Sequence, residues 1–89
     1  MLEKNVQIIN KLGLHARSAS KLVSVSSNYL STIQITYKNK QVNAKSIMNL
    51  LMLAAKKGDV ITIYCDGEDE EAAMQAICDL IDRRFDEEE

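Results

Sequence analysis

Val6 and Ile8 alternate with Asn5 and Gln7 before Ile9, and this β-branched, period-two run predicts a strand over residues 5–9. Asn10, Lys11, Leu12 and Gly13 end it. The period then becomes helical. Small or apolar residues fall at Ala16, Ala19, Leu22, Val23 and Ser26, a stripe that frays toward Asn28 and Tyr29. Alternation returns over residues 31–37, with Ile33, Ile35 and Tyr37 on one face. Lys38, Asn39 and Lys40 form a turn, and residues 41–43 return as a short strand to make a hairpin.

Ser46 precedes a nearly unbroken apolar run over residues 47–55. Serine is a favoured N-cap because its hydroxyl accepts a hydrogen bond from a backbone N–H two or three residues on. The run reads as a helix apolar almost all round, with Lys56 and Lys57 at its negative end and Gly58 at C′. Residues 59–65 predict a third alternating strand, and Asp66 and Gly67 a turn. Glu68, Asp69, Glu70 and Glu71 then place acids in the first turn of a last helix, where the dipole favours them. Its buried stripe is Ala73, Ala76, Ile77, Leu80 and Ile81, and Arg83 and Arg84 lie near its end. The order is β-α-β-β-α-β-α. Few strands and amphipathic helices favour one sheet covered on one face, an α+β two-layer open-faced sandwich.

Composition bounds the chain further. Its 89 residues suit a single domain over residues 1–89. Apolar residues make up 46%, which argues against disorder. No apolar run approaches the ~20 residues of a membrane span, and residues 1–5 lack the pattern of a secretory signal. Membrane insertion is therefore not expected, and a cytoplasmic location is. Cys65 and Cys78 are the only cysteines; without a signal they read as reduced core residues. One histidine and no Cys-x-x-Cys make a metal site unexpected.

Charge is divided along the chain. Residues 1–57 carry nine Lys or Arg against one acid, and residues 58–89 carry two Arg against twelve acids. The basic part attracts anions: phosphate, nucleic acid or acidic protein surfaces. Self-pairing of a mixed surface is the plainer alternative.

Chemistry converges at Leu14, His15, Ala16, Arg17 and Ser18. His15 stands where a loop enters a helix, beside N–H groups that have no intrahelical partner and carry the positive end of the dipole. Such a terminus binds phosphate, and the planar fork of Arg17 fits phosphate oxygens. A neutral imidazole there has one ring nitrogen free to act as a nucleophile, giving phosphohistidine chemistry. The plainer reading is that His15 caps the helix.

The run from Asn10 through Arg17 resembles the active-site signature of the HPr family, the histidine-containing phosphocarriers of the bacterial phosphotransferase system. Asn43, Ala44, Lys45, Ser46, Ile47 and Met48 resemble the family's second, regulatory-serine motif, and the similarity runs over essentially the whole chain. It implies an antiparallel sheet in the order 1-4-2-3 with three helices on one face. It also implies a monomeric carrier, not an enzyme, with no cofactor. Enzyme I would phosphorylate His15, on Nδ1 as in the family, and His15 would pass the group to IIA proteins. Arg17 and the N–H groups of Ala16, Arg17 and Ser18 would surround the phosphate. Ser46 would be the target of an HPr kinase/phosphorylase where one exists, and Ser20, Ile47, Met48 and Leu51 would dock the partners.

The chain also departs from the family. Ser18 stands where the family usually has proline, restoring a donor and removing a fixed φ, which predicts a looser loop. Ser24 and Ser27 stand where many members have lysines. The acidic end, from Phe85 to Glu89, is closer to the nitrogen-related branch, and by composition it reads as a frayed, solvated terminus. Ser46 has a structural reading as a cap, and Ile47, Met48 and Leu51 one as ordinary core.

Two other classes compete. An acylphosphatase-like phosphohydrolase would need an arginine in its phosphate loop and an asparagine to place water, whereas this loop offers a nucleophilic histidine. A nucleic-acid module fits the basic part, but only Tyr37 and Tyr64 could stack bases and no RNP pattern is present.

Overall fold

The computed structural model describes residues 1–88. Its elements follow the order read from the sequence: β1 (Leu2–Gln7), α1 (Ala16–Ser26), β2 (Thr32–Tyr37), β3 (Lys40–Asn43), α2 (Ile47–Leu51), β4 (Val60–Asp66) and α3 (Glu70–Asp82), closed by a 3₁₀ turn at Arg84–Asp86. The strands form one antiparallel sheet in the order β1-β4-β2-β3. Three helices cover it, giving the open-faced sandwich expected from the resemblance.

The period-two pattern sets the buried face. Ile33 and Ile35 of β2, Val42 of β3 and Ile61, Ile63 and Cys65 of β4 turn inward. Ala19 and Leu22 of α1 and Ala73, Ile77, Leu80 and Ile81 of α3 meet them. Met74 and Cys78 of α3 are buried too, while Ala76 is half-buried and Ala16 is exposed, so both helical stripes sit slightly off the predicted ones. Both cysteines are free and buried. Burial pushes the Cys65 thiol up to about 11, as fits a core side chain.

Two boundaries differ from the sequence reading. The first strand begins at Leu2, paired with Cys65, and its ladder reaches Gln7 opposite Val60. It is an edge strand, where charged Glu3 and Lys4 are tolerated and mask the alternation. The second helix ends at Leu51 instead of Ala55. Ala54 takes a left-handed φ of 53°, and Leu53 and Ala55 turn into the core as loop residues. Lys56, Lys57 and Gly58 consequently lie beyond the helix, in the turn before β4.

Tertiary contacts explain one glycine. Gly13 has φ 67°, and a Cβ there would stand 2.7 Å from the Ala55 carbonyl oxygen and 2.8 Å from Lys56 Cα. No other residue fits that approach, which lets the Leu14 N–H donate to Ala55 O at 2.9 Å. The Asp69 carboxylate meanwhile turns back to Leu30 N–H, at 2.8 Å, and to Ser31, tying the start of α3 to the start of β2. No described helix is long and apolar enough to cross a membrane.

Candidate functional site

Residues 10–14 carry the chain from β1 to α1. Gly13 N–H donates to Asn10 O at 3.1 Å, closing a turn. His15 is the N-cap of α1, with extended backbone at φ −124° and ψ −178°. The first α-helical hydrogen bond runs from Ala19 N–H to His15 O at 2.7 Å. The N–H groups of Ala16, Arg17 and Ser18 therefore precede the helical ladder, as a helix start dictates.

Ser18 tightens the loop instead of loosening it. Its hydroxyl accepts from His15 N–H at 2.9 Å and donates to Gly13 O at 3.0 Å, and the residue is fully buried. A serine at the third helical position thus does what Glu or Gln does in a capping box, holding the N-cap backbone. Proline has no hydroxyl to do this. The hydroxyl is used internally, so Ser18 has only its backbone to offer an anion.

Up to Glu88 the acidic end is not frayed, and Glu89 lies outside the described residues. Phe85 is fully buried. Lys21 Nζ donates to Phe85 O at 2.7 Å, and the turn delivers Glu87 to the histidine. His15 Nε2 lies 2.7 Å from Glu87 Oε2. Asn10 Nδ2 donates to Glu87 Oε1 at 3.0 Å and to Gly13 O at 2.8 Å. Two acceptors fix which end of that buried amide is NH2, and they leave Asn10 Oδ1 without a partner among the described residues. Burial opposes ionisation of Glu87. The hydrogen bonds from Asn10 and His15, with the charges of His15 and Arg17, outweigh it and hold the carboxyl below its usual range.

His15 and Arg17 face an open hollow of about 730 Å³ together with Lys11 and Leu12, and the tail closes it with Asp86, Glu87 and Glu88. His15 is half-buried and Arg17 exposed. Sequence reasoning brought His15, Ala16, Arg17 and Ser18 together and missed Asn10 and Glu87. In the sequence Asn10 ends a strand and opens the signature run, with no role of its own assigned to it.

The residues expected to dock partners are exposed, which removes the reading of them as core. Met48 is 73% exposed, Ile47 38% and Leu51 37%, with Leu12 and Met52 also open; Ser20 is exposed on α1. Ser46 caps α2, its Oγ accepting from Asn49 N–H at 3.3 Å and from Asn49 Nδ2 at 2.8 Å.

The chain matches the family model described as PTS HPr component phosphorylation site over residues 2–83. It is 49% identical over 87 residues to the phosphocarrier protein HPr of Xylella fastidiosa, covering 98% of each chain. It is 46% identical over 86 residues to the phosphocarrier protein NPr of Shewanella violacea, covering 97% of this chain and 94% of that one. Among solved structures, HPr-C-His from Thermoanaerobacter tengcongensis superposes with a TM-score of 0.96 at 44% identity, covering 100% of both chains. An HPr dimer from the same organism has a TM-score of 0.79 at 44% identity, covering 98% of this chain and 100% of that one.

Proposed function

Because the chain belongs to the HPr family of phosphotransferase-system phosphocarriers, we propose that His15 takes a phosphoryl group from phosphorylated enzyme I and hands it to IIA proteins in the cytoplasm, the protein acting as a monomer. One observation carries this reading: the only histidine of the chain is the N-cap of an 11-residue helix, with Arg17 beside it on one open hollow. Helix-start N–H groups and a guanidinium favour a phosphoryl group there. Positioning and charge suffice for the transfer.

The test is incubation with labelled phosphoenolpyruvate and enzyme I, followed by addition of the host's IIA proteins. Label on the chain that moves to a IIA protein supports the carrier reading; an unlabelled chain overturns it. In the same assay Arg17→Ala is expected to slow transfer about 10–150-fold, the equivalent of a charge-assisted contact of about 1.5–3 kcal/mol. Arg17 is exposed, so the melting temperature should hardly move. A parallel loss of stability and rate would make Arg17 structural.

Ser46 combines a cap with a place for regulation. It starts the helix that bears Ile47, Met48 and Leu51, and we assign those side chains, with Ser20, to the surface that meets enzyme I and IIA proteins. Phosphate on Ser46 adds about 1.5 to 2 negative charges at pH 7, which would repel an acidic partner approaching the basic side. Ser46→Asp should keep its stability, since aspartate is as good an N-cap, while transfer weakens through docking. Ser46→Ala should lose about 1 kcal/mol and transfer nearly as the parent does. Thermal unfolding and transfer measured against protein concentration separate the two. Undiminished transfer by Ser46→Asp would leave Ser46 a cap and nothing more.

A further inference from the structure

We propose that Glu87 is a positioning residue for transfer: its carboxylate, braced by Asn10, holds the proton of His15 on Nε2 and so presents Nδ1 as the nucleophile. The inference rests on His15 being the phosphoryl acceptor. A neutral imidazole carries one proton and one free lone pair, and the partner of one nitrogen decides which is which. Here Nε2 faces Glu87 Oε2 at 2.7 Å. An ionised carboxylate only accepts, so Nε2 must donate and the lone pair falls on Nδ1.

The carboxylate is itself held. Asn10 Nδ2 reaches its other oxygen at 3.0 Å while also spanning to Gly13 O at 2.8 Å, and Asn10 is fully buried. Loop, helix start and tail thus meet in one chain of hydrogen bonds from Gly13 through Asn10 and Glu87 to His15. The logic is that of a carboxylate orienting a catalytic histidine, in which the acid sets the tautomer and offsets ring charge without taking the proton.

The transfer step then balances. The Nδ1 lone pair forms the N–P bond as the bond from phosphorus to the donor atom breaks, and that electron pair returns to the donor. Nε2 keeps its proton. The ring becomes cationic, and Glu87 balances the new charge from the side away from the phosphoryl group. On handover to the next acceptor the same steps run in reverse.

Imidazole ¹⁵N spectra and single-turnover labelling test the assignment. The parent should show the Nε2–H tautomer. Glu87→Ala should mix the two tautomers and lower the maximal labelling rate about 10–100-fold with KM little changed, Glu87→Gln should fall between, and Glu87→Asp should recover part of the loss. Asn10→Ala should act in the same direction as Glu87→Ala through a looser carboxylate. A parent dominated by the Nδ1–H tautomer overturns the assignment without any variant. So does Glu87→Ala transferring as fast as the parent or faster, the latter making Glu87 a brake. A parent that shows the Nε2–H tautomer but takes no label would sink the phosphocarrier reading instead.

Discussion

His15→Ala is expected to take no phosphoryl label from phosphoenolpyruvate and enzyme I, while unfolding within about 1 kcal/mol of the parent. The label on the parent should be acid-labile and alkali-stable, because protonating a phosphoramidate releases the nitrogen. Loss of label follows from composition as well as geometry: the chain has no second histidine. Preservation of the fold follows from which atoms hold the helix start. The Ser18 hydroxyl accepts from the backbone N–H of residue 15, which alanine also has. The Gly13 carbonyl keeps its bonds from Asn10 and Ser18. The contact from Nε2 to Glu87 is lost, while Asn10 still holds that carboxylate. Acid-labile label persisting on His15→Ala would end the reading of His15 as the acceptor.

Local signals are legible in a sequence, and contacts between distant residues are not. The helix start at His15 was legible because its signals are local: a glycine that ends a strand, a period change, and a basic fork two residues on. Ser46 was legible for the same reason, its hydroxyl acting on a backbone group three residues away. The end of α2 was not. Residues 47–55 contain no glycine, proline or charge to break the run, and the turn is made by Ala54 in a left-handed conformation that alanine rarely takes. Strand order was carried by the family resemblance, since periodicity sets faces and not neighbours.

The tail was misread because composition and contact point in opposite directions there. A run of acids looks solvated, yet Glu87 meets a histidine 72 positions earlier. Only Phe85, the one phenylalanine of the chain, signalled otherwise. A large apolar side chain next to the end of an amphipathic helix is more readily buried than frayed.

Phe85→Ala is expected to be the most destabilising of these substitutions, by about 3 kcal/mol or more. The ring is fully buried in the core cluster. A chain of this length has a total stability on the order of 4–13 kcal/mol, so the melting temperature should fall by roughly 10–20 °C. The backbone limits the loss, because release of the tail gives back the strain stored there. Arg84, Phe85 and Asp86 all take positive φ, at 58°, 55° and 63°, each at a cost of about 1–2 kcal/mol. Burial of the ring, the Lys21 bond to Phe85 O and the Glu87 contacts offset that strain. Without the ring, residues 84–88 have little to hold them in a left-handed path, and they should release. Release removes Glu87 from Asn10 and His15, so Phe85→Ala should also show the mixed histidine tautomers of Glu87→Ala, a coupling across the fold that a local core defect would not produce. Glu88→Ala, at an exposed residue, should stay within about 0.5 kcal/mol. Calorimetry and imidazole ¹⁵N spectra on the two variants decide the matter. A Phe85→Ala variant within 1 kcal/mol of the parent, with its Nε2–H tautomer intact, would show that the tail is held by Glu87 alone and that the ring does not anchor it.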